Sequence, residues 1–223
     1  MTFDFTIPPF YSAEDQLLIR RAFARAKACH AEQLRASGEP YIVHPLGVAE
    51  ILMELPAKAE VVAAGLLHDV IEDTGESFKE IEAEFGFELA KIVNAVSHTK
   101  RLERIQKNHP EDRRRELHHT FLDTIKDIKS AVVKIADRLN NCRTLEYLPP
   151  DKQHAIAQET LEMYVPLARQ VGLPLIEREL AAICLDILPK WDYQRAQGES
   201  IKYEAEIIAK GYHQNKLDQC LLR

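Results

Sequence analysis

Ala59-Glu-Val-Val-Ala-Ala-Gly-Leu-Leu-His-Asp-Val-Ile71 is the stretch that decides the fold. Its apolar residues neither alternate nor keep to one stripe, and they cover almost the whole circumference of a helix, as in a helix buried on most sides. Such a helix needs others to cover it, and it is expected at the centre of the core. Upstream, Ser12 reads as the N-cap of a helix carrying Leu17, Leu18, Ala22, Phe23 and Ala26 on one face and ending near Gly38. Pro45 opens a second helix through Leu55, which Pro56 closes.

Downstream, Ser77-Phe-Lys-Glu80 has the capping-box pattern ahead of Ile81 and Phe85; Gly86 ends that helix and another runs through Val96. From His98 to Lys129 the chain is strongly charged and is expected to form an exposed loop and then a helix. Ser130 is expected to cap a helix burying Val132, Val133, Ile135, Ala136 and Leu139, and Pro149-Pro150 is expected to end the segment after it. A long helix is expected from Asp151 to Arg169 with a kink at Pro166, then helices over Leu175 to Leu188 and around Ile201 to Leu222. No stretch demands a sheet, so the fold class is all-α.

Composition agrees. Hydrophobic residues at 46% and charged residues at 29% describe a globular chain, and 8 glycines among 223 residues suit helices better than a glycine-rich nucleotide-binding sheet. The net charge of −6 disfavours duplex DNA as the main partner, so no nucleic acid is expected. The 4 cysteines form no CxxC pair and read as reduced thiols in a cytoplasmic protein. The start MTFDFTIPPF lacks the basic, then apolar, build of a signal peptide. The longest apolar run, Val61 to Leu67, is too short for a bilayer, and no membrane is expected.

Phosphate-loop, dinucleotide-fingerprint, HExxH, GxSxG and EF-hand patterns are missing. What remains is polar residues inside apolar helices. His68-Asp69 offers an imidazole and a carboxylate of the type that ligates a divalent cation, as do His44, ahead of a helix start, and Asp137. Taken singly, each has a plainer explanation. Adjacent helical residues point about 100° apart, so His68 reads as a core histidine and Asp69 as a capping or salt-bridging residue; His44 reads as a turn residue, and Asp137 as a partner of Arg138 or Arg143. As a set they give a mixed N/O donor group suited to Mn²⁺, Fe²⁺ or Zn²⁺ more than Ca²⁺.

The order His44…His68-Asp69…Asp137 resembles the HD superfamily of metal-dependent phosphohydrolases. Gly38-Glu-Pro-Tyr-Ile-Val-His-Pro45, Leu66-Leu-His-Asp-Val-Ile-Glu-Asp-Thr74, Lys134-Ile-Ala-Asp-Arg-Leu-Asn-Asn-Cys-Arg-Thr-Leu145 and Glu159-Thr-Leu-Glu-Met-Tyr-Val-Pro-Leu-Ala168 resemble the hydrolase domain of RelA/SpoT-type alarmone enzymes. The resemblance implies an HD-domain helical bundle of about eight to ten helices, with residues 1–175 as the hydrolase domain and 176–223 as a helical extension on it. It covers roughly residues 12 to 175 and does not extend to the synthetase half of long members, so a stand-alone hydrolase similar to the SpoT homologues of metazoa is expected.

The resemblance further implies that His44, His68, Asp69 and Asp137 hold one Mn²⁺, and that Glu72 and Asp73 handle the nucleophilic water. Residues three and four along a helix share its face, so these two carboxylates should border the ion; the plainer reading is a solvated helix end before Gly75. The implied reaction releases pyrophosphate from the 3′ position of the small-molecule nucleotide (p)ppGpp. Arg35, Ser37, Asn141 and Thr144 match family positions near base and ribose; Arg113, Arg114 and Arg115 offer cations for the pyrophosphate, and Tyr41 reads as packing. Two departures stand out: Ala36 where the family commonly has a basic residue, and Asn140 where it commonly has His. Ala36 leaves open (p)ppApp or the 2′-phosphate of NADPH as substrate, and a silent nucleotide sensor is the alternative from another class.

Overall fold

The structure, a computed structural model, describes residues 5–106 and 127–209. Among these residues every regular element is helical. Helix α1 (Ala13–Cys29) begins at Ser12, whose side chain and that of Asp15 form a reciprocal capping box. It stops at Cys29, well before Gly38, because residues 30–42 fold into a tight loop instead. The Arg35 N–H donates to the Glu39 carbonyl at 2.8 Å, Leu34 bridges Pro40, and Gly38 takes φ 85°, a left-handed turn open to glycine.

Helix α2 (Val43–Glu54) starts two residues ahead of Pro45, which sits in its first turn where its missing N–H costs nothing. Helix α3 (Ala59–Leu67) is followed by the four-residue α4 (Val70–Asp73), so the apolar run through Ile71 is two helices with a break at His68-Asp69. Helix α5 (Phe78–Phe85) carries the Ser77–Glu80 capping box and ends at Gly86. Helix α6 (Phe87–Gln106) continues past Val96, so the charged stretch from His98 begins as helix rather than as the expected loop. Residues 107–126, with Arg113, Arg114 and Arg115, lie outside the described residues.

Helix α7 (Ile128–Cys142) is capped by Asp127, whose Oδ1 accepts the Ser130 N–H at 2.9 Å; Ser130, expected as the cap, is buried in the first turn. A 3₁₀ turn (Leu145–Tyr147) ends just ahead of Pro149-Pro150, as expected, and Pro150 also sits in the first turn of α8 (Pro150–Glu159). A π turn (Thr160–Tyr164) joins α8 to α9 (Val165–Gln170), and the Val165 N–H reaches back to the Thr160 carbonyl. The widened turn absorbs Pro166, which has no N–H to continue the ladder, so the irregularity falls where the proline requires it. Helix α10 (Pro174–Ile187) follows, and α11 (Lys190–Ala209) starts earlier than the expected Ile201.

Helix α3 packs against α1, α2, α6 and α7, and every residue from Val61 to Val70 is buried. Helix α7 touches α2, α3, α6, α9 and α10, which makes it the beam shared by both ends of the bundle. Helix α11 packs on α8, the π turn, α9 and α10, and one continuous apolar core runs from Phe5 to Ile207. The α2–α3 crossing is close because Gly65 has no side chain: a Cβ there would lie 2.4 Å from Leu52 Cδ1 and 3.3 Å from Val48 Cγ1. Leu52 and Val48 are fully buried, so their side chains would have to shift within a packed core. Gly65→Ala is therefore expected to cost about 1–3 kcal/mol by overpacking, a fall in melting temperature of roughly 2–4 °C per kcal/mol for a chain of this size. A calorimetric scan checks it; an unchanged melting temperature would show that the crossing has slack.

Candidate metal centre

The break between α3 and α4 builds the site. In an uninterrupted helix His68 and Asp69 would diverge, which is why the dipeptide alone suggests separate structural roles. Here α3 ends at Leu67, and Asp69 adopts φ −99°, ψ −11°, the sparsely populated bridge region between helical and extended backbone. Ser97 Oγ on α6 lies 3.1 Å from the carbonyl of His68 that the break releases. Both side chains consequently face one point, with His68 Nε2 3.1 Å from Asp69 Oδ1.

Helix α2 brings His44 to the same point and α7 brings Asp137. His44 Nε2 lies 3.2 Å from His68 Nε2, 3.5 Å from Asp69 Oδ2 and 3.2 Å from Asp137 Oδ1; His68 Nε2 lies 3.5 Å from Asp137 Oδ1. None of the four residues is more than 2% exposed. Asp137 thus meets the two histidines; Arg138 pairs instead with Glu159 at 2.9 Å and Arg143 with Glu179 at 2.7 Å.

The second nitrogen of each imidazole fixes its tautomer. His44 Nδ1 lies 2.8 Å from Asn140 Oδ1, and His68 Nδ1 lies 2.7 Å from the Gly65 carbonyl. Both acceptors take an N–H at Nδ1, so in the neutral rings the Nε2 atoms carry the lone pairs that face each other and the carboxylates. Lone pairs and carboxylates so placed repel one another, and a divalent cation among them would offset that repulsion. Atoms sharing an ion at about 2.0–2.2 Å lie roughly 3 Å apart, close to the separations found. His44, His68 and Asp69 form a group able to hold a metal ion, and Asp137 Oδ1 lies 3.2 Å and 3.5 Å from the two histidine nitrogens of that group.

Three contributors escape a reading of the sequence. Lys134, 1% exposed, lies 3.3 Å from Asp137 Oδ2 through Nζ, one helical turn ahead of it. Asn140, one turn after Asp137, orients His44, and only glycine at position 47 leaves room: a Cβ there would lie 2.1 Å from Asn140 Nδ2. Tyr41, expected as packing, donates its hydroxyl toward Asp69 Oδ2 at 2.6 Å and Asp73 Oδ2 at 3.2 Å. Burial, and after it the charge of Asp69, pushes the Tyr41 phenol far above its usual range, so it stays protonated. The available signals are a lysine on the apolar face of α7 and a tyrosine three residues ahead of His44.

Asp73 therefore stands beside Asp69 through the shared tyrosine, and Glu72, half-buried in the same short helix, has one carboxylate oxygen shielded from water. Of the residues expected near a nucleoside, Arg35 and Thr144 meet, Nη2 to Oγ1, at 3.1 Å. Asn141 turns inward and donates to Asp137 Oδ1 at 2.7 Å, and the Ser37 hydroxyl donates to Glu39 at 3.0 Å.

The profile of the HD domain matches residues 22–173, and the chain belongs to that family. It is 42% identical over 180 residues to a probable guanosine-3′,5′-bis(diphosphate) 3′-pyrophosphohydrolase of Synechocystis, covering 81% of this chain and 23% of the relative. It is 41% identical over 179 residues to the bifunctional (p)ppGpp synthase/hydrolase SpoT of Escherichia coli K12, covering 80% of this chain and 25% of that one. The chain thus spans about a quarter of these relatives' length. A solved structure of a metazoan ortholog of SpoT, described as hydrolysing ppGpp, superposes with TM-score 0.52 over 92% of this chain and 99% of that one. At 18% identity that likeness speaks for the fold. Among the described residues no helix is long and apolar enough to cross a membrane.

Two lysine–carboxylate pairs separate burial from mere proximity. Lys134–Asp137 is nearly closed to solvent, whereas Lys129–Glu60, at 2.9 Å, has both side chains about a quarter exposed. In the metal-depleted chain Lys134→Met is expected to cost about 3 kcal/mol because it removes the buried cation paired with Asp137, leaving Asn141 and the histidines as its partners, and Lys129→Met less than about 1 kcal/mol. Urea unfolding of the two variants checks this, and equal losses would contradict the electrostatic reading of the site.

Proposed function

We propose that the chain is a Mn²⁺-dependent hydrolase of the alarmone (p)ppGpp, releasing pyrophosphate from the 3′ position and leaving GDP or GTP. The observation that carries the reading is the buried convergence of two Nε2 lone pairs and two carboxylates, with Asp73 tethered beside them. The names of the relatives, at 41–42% identity over four fifths of the chain, supply the substrate.

In this reading His44, His68, Asp69 and Asp137 hold the ion. When bound, it supplies Lewis acidity toward a phosphate ester and a water. Glu72 and Asp73 orient the attacking water and take its proton as its oxygen bonds to phosphorus; the 3′ oxygen leaves and is protonated in turn, so no covalent enzyme intermediate arises. Arg35, presented by the 30–42 loop and steadied by Thr144, stacks on the purine; Ser37 and Asn141 are assigned to base or sugar from the sequence alone, their side chains here engaging Glu39 and Asp137. Arg113, Arg114 and Arg115 are assigned to the pyrophosphate from the sequence alone. The free thiols of Cys29, Cys142 and Cys184 support a reducing, cytoplasmic setting.

The test is a product-resolved substrate panel with added Mn²⁺. The expected result is pyrophosphate and GDP from ppGpp, with higher kcat/KM than for ppApp or NADPH, and a loss of at least about a hundredfold in Asp69→Ala and Glu72→Ala. Full activity in either variant would remove the mechanism. Preference for the adenine nucleotide would move the substrate assignment, with the exposed Ala36 the first position to examine.

A further inference from the structure

We infer that Tyr41 is a positioning residue: its hydroxyl holds the carboxylate of Asp69, within the donor group, and that of Asp73, at the reacting water, in one fixed arrangement. The inference rests on the hydrolase reading for the task of Asp73, and on the structure alone for the tie. Both Oδ2 atoms lie within 3.2 Å of the same phenol oxygen, the shorter contact being 2.6 Å to Asp69. Two carboxylates this close repel, and α4, at four residues, is too short to hold Asp73 in place by its own backbone. A neutral donor between them offsets the repulsion and sets their separation.

The donor is itself clamped. The Tyr41 ring stacks on His30 with centroids 4.6 Å apart at 27°, and it meets the His44 ring edge-on at 5.9 Å. His30 Nδ1 lies 2.7 Å from Gln33 Oε1, the Gln33 amide donates to the Asp73 carbonyl at 2.8 Å, and the Tyr41 N–H donates to the Gln33 carbonyl at 2.9 Å. Loop 30–42 and helix α4 are therefore joined twice, once through the Gln33 side-chain amide to the Asp73 carbonyl and once through the phenol. A ring needed only for packing would serve as well without its hydroxyl.

Tyr41→Phe separates the two roles, since it keeps the ring and its stack. On the full chain freed of metal, Mn²⁺ titration is expected to show affinity lower by about tenfold, the usual effect of losing a group that orients a ligand. In ppGpp turnover, kcat is expected to fall about tenfold or more with KM within twofold. In an Asp73→Asn background the same substitution should cost kcat less, because part of what Tyr41 holds is already gone. The proposal is overturned if either Mn²⁺ affinity or kcat stays within twofold of the unsubstituted chain, or if the two kcat losses are fully additive. Should the unsubstituted chain not turn over ppGpp, the substrate reading fails and the Mn²⁺ titration decides the tie by itself.

Discussion

Two imidazole nitrogens and two carboxylates converge, buried, where α2, the α3–α4 break and α7 meet. Burying a charged or lone-pair-bearing group away from water is costly unless something compensates it, and here two imidazole nitrogens and two carboxylates are brought within 3.1–3.5 Å of their neighbours. The rest of the molecule is arranged to make that convergence possible. Helix α3 is apolar around its circumference so that it can be covered on most sides, and its end at Leu67 falls deep in the core. At the break after Leu67 the consecutive side chains of His68 and Asp69 meet, Nε2 to Oδ1, at 3.1 Å.

Around the donors lies a shell of groups that fix orientation. Asn140 and the Gly65 carbonyl set the two tautomers, Lys134 and Asn141 hold the two oxygens of Asp137, and Tyr41 holds Asp69. These partners come from the same helices as the donors or from the adjoining loop, so the shell and the centre fold together. Two glycines serve the same end: Gly65 lets α2 approach α3, and Gly47 lets Asn140 approach His44. Because side chains that orient ligands are held by the fold, small packing errors at these crossings would reach the centre directly.

The all-helical class is legible because apolar periodicity and capping chemistry are local: the Ser12 and Ser77 boxes and the apolar run over α3 read directly from the sequence. Boundaries set by tertiary contacts are not. The Ser12 helix reads on to Gly38 because nothing local announces that Tyr41 and Gln33 close the 30–42 loop, and Ser130 reads as a cap that Asp127 in fact supplies. The residue types of the centre are legible as a set, and their order carries the resemblance to HD phosphohydrolases. Their convergence depends on a helix break that propensity does not signal. Tyr41 reads as packing and Asn140 only as a departure from the family, because their roles are hydrogen bonds between distant segments, and a single sequence holds no record of those.

If the convergent donors hold one divalent ion, the full chain has one saturable metal site. Equilibrium Mn²⁺ binding to the metal-depleted full chain, read as stoichiometry by electron paramagnetic resonance, tests it most directly. Saturation is expected at about one ion per chain, abolished in His68→Ala and Asp137→Ala variants that remain folded by circular dichroism. No saturable binding by the unsubstituted chain, or the same binding after both substitutions, would contradict it.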